Sequence, residues 1–175
     1  GVEDAGTAMF TVISANVALA ARQRAEELDC SVEDLDMEDG TRFYIELGNS
    51  ISAADYIAAV QTSQRASRLM GYFHRQYDVV LGPTLSSPPI PIGYLSSASA
   101  DDYVERLFGF MGDTGLFNQT GQPSISLPLH WTDSGLPVGM MFSAAYGEDS
   151  LLLRLAAQLE QAQPWWQRRP AVAAG

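Results

Sequence analysis

Phe117-Asn-Gln-Thr-Gly-Gln-Pro-Ser-Ile-Ser-Leu-Pro128, followed by Gly135-Leu-Pro-Val-Gly139, is the stretch whose reading decides the fold. It begins as a polar, turn-rich segment expected to be a loop. Gly121 permits a positive backbone angle, and Pro123 opens a strand where its missing N–H costs least. Residues 124–128 and 137–144 then read as strands, joined by the turn Thr132-Asp-Ser-Gly135. Upstream, Asp78–Leu81 is a short apolar run closed by Gly82-Pro83. Such a run predicts a strand buried on both faces, interior to a mainly parallel sheet, with its C-terminal end at a ligand crevice.

Helices surround these strands. Residues 5–29 read as one, with Met9, Ile13, Asn16 or Val17, and Ala20 at three- and four-residue steps and Arg22, Arg24, Glu26 and Glu27 towards water. Ser31 with Asp34 resembles a helix start, ahead of an acidic turn. Thr41–Leu47 predicts a short helix ended by Gly48. Ser52 with Asp55 opens a long helix to about Gln76, with the stripe Tyr56, Ile57, Val60, Leu69, Met70, Phe73 and Tyr77. Residues 85–98 form an irregular Ser/Pro loop. Ser99 and Asp102 start a helix whose inner side is Tyr103, Val104, Leu107, Phe108 and Met111. Residues 148–162 predict a last helix, with Glu148 and Asp149 complementing its dipole and Leu151, Leu152, Leu155, Ala156 and Leu159 as its stripe. Helices alternating with buried strands give an α/β class, a partial layered α/β/α sandwich. Three short strands are few for so much apolar helix surface, which points to part of a larger mixed sheet.

Composition narrows the function. The 175 residues carry a formal charge of −11, and all ten basic residues are arginines. An acidic chain without basic clusters is a poor partner for nucleic acid. The single Cys30 excludes an internal disulfide and fits a reducing cytosol. No apolar stretch is expected to reach membrane-spanning length, and the acidic opening is unlike a signal peptide. A first residue Gly1 in place of Met reads as an internal start. The lone cysteine and the lack of membrane signals lead to the expectation of a cytoplasmic protein with no membrane partner.

Chemistry is sparse. A serine nucleophile needs a base, and only His74 and His130 are available, each better read as a packed or surface histidine. Gly48-Asn-Ser-Ile-Ser52 fails the nucleophile-elbow pattern at its last position. Two distant histidines and one cysteine make no metal set, and Glu33-Asp-Leu-Asp-Met-Glu-Asp-Gly40 lacks the spacing of a calcium loop. Gly109, Gly112 and Gly115 follow no strand and make no phosphate loop. Asn118, Gln119 and Thr120 admit two readings: turn chemistry, or a share in shaping a pocket.

The order and spacing of Tyr77-Asp-Val-Val-Leu-Gly-Pro-Thr84, Phe117–Pro128, Gly135–Gly139 and Tyr146–Glu160 resemble the C-terminal part of an amidase signature enzyme. Ala144-Ala-Tyr-Gly-Glu-Asp149 and Pro164-Trp-Trp-Gln-Arg-Arg-Pro170 are most similar to the branch containing the 6-aminohexanoate cyclic-dimer hydrolases and related bacterial amidases. The resemblance implies a serine amide hydrolase that works without a cofactor through an acyl-serine intermediate, using two serines and a lysine. This chain contains no lysine, so it implies that the catalytic residues lie outside it. By the same resemblance, 1–48 is a helical region lining the variable side of the cleft, and 49–175 is the C-terminal part of the core. Phe117, Asn118, Thr120 and Ser14 become candidate substrate-binding residues, with no catalytic and no metal-binding residue among them. Phe117, Trp131 and Phe142 hint at an apolar pocket wall. The family usually has Gly where His130-Trp131 stand here, and often Gln at Met141. The implied partners are the N-terminal catalytic portion of the same enzyme and a small-molecule amide. The isolated chain is expected to be inactive and to self-associate. The rival reading is a non-catalytic amidase-like module for binding or assembly.

Overall fold

The computed structural model describes residues 4–95 and 100–168. The element order is α1 (Ala5–Glu27), α2 (Asp39–Ser50), α3 (Ala53–Phe73), β1 (Val79–Pro83), α4 (Ala100–Met111), α5 (Thr114–Thr120), β2 (Ser124–Trp131), β3 (Pro137–Ala144) and α6 (Asp149–Ala162). The expected helix start at Ser99, residues 96–98 of the Ser/Pro loop, the opening Gly1–Glu3 and the end of the Pro164–Pro170 stretch from Arg169 lie outside the described residues.

The three strands form one sheet in the order β1-β3-β2, with both pairs antiparallel. Strand alternation sends successive side chains to opposite faces, and β3 shows what each face meets. Phe142 and Ala144 join Leu127 and Leu152 in a core with Leu155, Leu159 and Trp165, so α6 covers that face. Met141 points the other way and packs with Met70 and Phe117, so α3 and α5 cover the opposite face. Helices on both faces of a small sheet make the layered α/β/α arrangement expected.

The expectation for β1 needs correction. Val79 belongs to the α6 side and Val80 to the α3/α5 side, so the run does serve two faces. Yet β1 is antiparallel to β3 and, among the described residues, an edge strand with Leu81 56% exposed. An apolar run reports burial of two faces; it carries no information on the direction of the neighbouring strand. On the other edge, β2 continues past Pro128 to Trp131 through an irregularity between Pro128 and His130. An edge position and a bulge are where a strand tolerates a residue without an N–H.

Helical packing rests on small residues. α1 buries Ala5, Ala8, Met9, Ser14, Ala18, Ala21 and Ala25, while Ile13 and Ala20 of the expected stripe are exposed. Gly48 is not the end of α2 but the point where it crosses α1. A Cβ there would run into the Ser14 carbonyl oxygen and stand 2.8 Å from the Ala18 Cβ. α3 begins at the Ser52–Asp55 capping box. Its buried residues are Ala59, Ala66 and Met70, and the larger Ile57, Leu69 and Tyr77 of the expected stripe stay largely in water. Size explains the reversal, because close helix contact selects alanine and leaves bulkier groups outside.

Three further expectations change. Ser31 donates its hydroxyl to Asp34 at 2.7 Å, but the segment is a turn, not a helix. These bonds, from the Ser31 hydroxyl and then its backbone N–H, hold the Asp34 carboxyl below its ordinary range. Phe117–Thr120 is the end of a short helix, not a loop. α1 is long and apolar enough to cross a membrane by length and composition, contrary to the expectation that no stretch is. Here its alanine face packs against α2 and α3.

Candidate functional site

α5 ends at Gly121. Gly121 takes φ 69°, and its N–H closes on the Phe117 carbonyl at 3.0 Å. A left-handed residue after the last turn is the usual helix terminator, and glycine adopts it without a Cβ penalty. The chain then turns directly into β2, so the polar residues of α5 sit between the helical layer and the sheet.

They point in different directions. Asn118 and Gln119 face a cleft of about 410 Å³ between α1, α3 and α5, walled also by Met9, Val12, Ile13, Val60, Ser63, Gln64 and Ser67. Gln119 is tied at both ends of its amide: its oxygen accepts from the Ser63 hydroxyl, and its nitrogen donates to the Ala5 carbonyl at 3.1 Å. Gln119 therefore pins α5 to α3 and to the start of α1. Gly115 lets α5 approach α1, since a Cβ there would lie 2.9 Å from the Met9 Cε.

Thr120 turns the other way. Its hydroxyl donates to the Gln122 Oε1 at 2.9 Å. The Gln122 Nε2 donates to the Ala144 carbonyl at 2.8 Å and to the His74 Nε2 at 2.7 Å. His74 Nδ1 lies 3.0 Å from the Tyr77 carbonyl, which can only accept. The proton is therefore on Nδ1, and Nε2 is free to receive the Gln122 bond. One buried carboxamide thus joins the end of α3, the α5–β2 junction and the end of β3. Among the described residues no buried side-chain polar atom lacks a partner.

A second cleft, of about 460 Å³, opens beside the end of β1. It is lined by Pro83, Thr84 and the Leu85–Pro89 loop on one side and Ser126, Thr132 and Leu136–Gly139 on the other. Thr84 and Ser126 share a hydroxyl–hydroxyl bond of 2.6 Å across it. Gly139 makes this possible, because a Cβ there would stand 2.7 Å from the Thr84 Oγ1.

Of the four residues singled out in the sequence, Asn118 lines the α1–α3–α5 cleft. Phe117 is buried against Met70 and Met141. Thr120 lies half-buried on Gln122. Ser14 is wholly buried, bonded to the Phe10 carbonyl at 2.8 Å where α1 meets α2. Of the other aromatics read as a pocket wall, Phe142 is core beneath α6, and Trp131 lies under the Arg168 guanidinium at 4.1 Å. The α3 residues Ser63, Gln64 and Ser67 were missed. Their signal was three polar residues on the helix face that also carries Val60, a mixed face where a purely apolar one was sought. Neither histidine lines this cleft, and among the described residues no cluster of His, Cys, Asp and Glu could hold a metal ion.

The Amidase family model matches residues 3–153. The AmiC protein of Mycobacterium leprae, named as an amidase, is 43% identical over 107 residues, which is 61% of this chain and 23% of that protein. The 6-aminohexanoate-cyclic-dimer hydrolase of a Pseudomonas strain is 29% identical over 169 residues, 92% of this chain and 34% of that one. A solved 6-aminohexanoate cyclic dimer hydrolase superimposes with TM-score 0.75 at 26% identity, over 90% of this chain and 34% of its own. This chain thus spans about a quarter to a third of these relatives' length. With a family model matched over most of its residues, the chain belongs to the Amidase family, corresponding to the C-terminal portion of its relatives.

Proposed function

We propose that this chain is the C-terminal portion of a serine amide hydrolase that cleaves carbon–nitrogen amide bonds. It supplies part of the scaffold and one wall of a substrate cleft. The observation that carries this reading is the Amidase family match over residues 3–153, within which Asn118 and Gln119 of the Phe117–Pro128 stretch wall part of the α1–α3–α5 cleft. Met9, Val12 and Ile13 support a role for residues 1–48 on the variable side of that cleft.

The chain holds no lysine, and neither Asn118 nor Gln119 can take a proton near neutral pH. The nucleophile, its bridging serine and the lysine are therefore assigned to the remainder of a longer protein. In that division of labour the chemistry is acyl transfer to serine, then to water. The residues here bind and orient the amide.

Two preparations test this: the full-length product of the gene that contains this chain, and the 175-residue chain alone. Each is assayed on simple aliphatic and aryl amides, with and without a serine-reactive phosphonate. Phosphonate-sensitive turnover is expected from the first and none from the second. Turnover by the chain alone would overturn the division of labour. Its absence from the full-length protein would favour a binding or assembly module.

A further inference from the structure

We infer that the α1–α3–α5 cleft selects uncharged amides, with the Gln64 and Asn118 carboxamides clasping the ligand's amide and the α1 side chains holding its hydrocarbon part. This rests on the reading of the cleft as a substrate wall and goes beyond it by naming what the wall accepts.

The lining residues divide into three groups. Met9, Val12, Ile13 and Val60 offer hydrocarbon. Ser63, Ser67 and Gln119 are polar but spent on the fold: Ser63 on Gln119, Gln119 on the Ala5 carbonyl, and Ser67 on the Ser63 carbonyl at 2.9 Å. Gln64 and Asn118 remain. Both are exposed, and neither side chain has a hydrogen-bond partner among the described residues. They come from different helices, α3 and α5, whose relative position is fixed by the Ser63–Gln119 bond next to each of them. Each carboxamide presents one acceptor oxygen and two N–H donors, the complement of an amide's N–H and C=O.

No lining side chain is charged. The nearest basic residue to Gln64 along α3 is Arg65, which is exposed and bonded to the Thr62 hydroxyl at 2.8 Å. An ammonium or carboxylate entering this cleft would lose water and find no opposite charge, which is costly. A neutral amide loses less and recovers its hydrogen bonds. A volume of about 410 Å³ lies within the range of small-molecule sites, roughly 300–1,000 Å³.

The test uses the full-length protein and three ligands of one chain length: hexanamide, 6-aminohexanamide and the monoamide of adipic acid. Binding is measured by calorimetric titration, and turnover separately. Hexanamide should bind about tenfold or more tighter than either charged ligand, as expected when a charge is desolvated without a partner. Asn118→Leu and Gln64→Leu should each weaken hexanamide binding several-fold. Ile13→Glu, a carboxylate on the α1 wall that faces the far end of the ligand, should move the ranking towards 6-aminohexanamide. Equal binding of the three ligands, or a ranking unmoved by Ile13→Glu, overturns the inference whatever the turnover shows. Absence of turnover alongside the expected ranking instead defeats the hydrolase reading and leaves the selectivity standing.

Discussion

Gln122 shows what a single side chain can hold. Its amide satisfies the Ala144 carbonyl, the His74 ring and the Thr120 hydroxyl together. Gln122→Leu removes all three bonds and leaves the Ala144 carbonyl and the His74 Nε2 without the donor they have here. An unsatisfied buried polar group costs about 1–3 kcal/mol, so the urea midpoint should fall accordingly. Gln122→Glu should be worse than leucine near neutral pH, because a carboxylate has no N–H and faces the Ala144 carbonyl with negative charge. A glutamate variant as stable as wild type would show that this network carries no such weight. None of this was legible in the sequence. Gln122 and His74 are separated by 48 positions, and a partnership that distant leaves no local pattern. The quoted stretch did point to Asn118, because three adjacent polar groups before a buried strand are conspicuous. It could not say that Asn118 and Gln119 turn towards the cleft and Thr120 away from it, since that depends on the helical phase of α5.

At the scale of elements, existence was easier to read than contact. The Ser52–Asp55 capping box, the strand at 137–144 and the last helix were all legible, since each is encoded in neighbouring residues. α5 was not: seven residues containing Gly, Asn and two Thr have little helical propensity, and the helix persists through Phe117 and Gln119 anchoring it. The faces of α1 and α3 were read only in part: Met9, Val17 and Met70 pack as expected, but Ile13, Ile57 and Leu69 do not, because hydrophobic size was taken for burial where these helices meet through alanine. Gly48 is the sharpest case. Gly48→Ala gains helix propensity yet puts a methyl into the Ser14 backbone. Overpacking of this kind costs about 1–3 kcal/mol, which exceeds the propensity gain of about 1 kcal/mol. Its thermal midpoint should therefore drop, and a rise would show that α1 and α2 separate freely. The same helix pair carries a titration. Burial, and then the neighbouring Tyr103, raise the Tyr44 phenol above its ordinary value, and its ring packs 5.1 Å from that of Phe10. A raised value means the unfolded chain ionises first. The stability it gives is whole below the ordinary tyrosine value of about 10 and is lost as pH climbs past it. Tyr44→Phe should flatten this alkaline decline in denaturant titrations compared with wild type, and parallel curves would exclude Tyr44 as its source.

For the whole molecule, the question is what covers the surfaces that the described fold leaves open. Ile57, Leu69, Tyr72 and Tyr77 are exposed on or just beyond α3, Leu81 on β1 and Leu153 on α6. Single exposed apolar residues are ordinary, but contiguous patches mark contact surfaces. A few hundred Å² of apolar surface left in water corresponds to several kcal/mol of unrealised burial, at about 25 cal/mol per Å². The sheet adds backbone groups. β2 ends its order with Pro128 and a bulge, both of which discourage a further strand. β1 has no such protection over Val79–Leu81, and its outer edge is unpaired among the described residues. That asymmetry makes β1 the edge where strand pairing is expected, in the full-length protein with another strand of the same chain and in the isolated chain with a second copy. We therefore expect the isolated 175-residue chain to self-associate at micromolar concentration and to bind an apolar dye. Leu81→Lys, which puts a charge on this exposed edge strand, should reduce association by several-fold. Light scattering and dye fluorescence read both effects. A strictly monomeric, dye-negative chain at high micromolar concentration would mean that these surfaces close on themselves in solution, and that β1 needs no neighbour beyond β3.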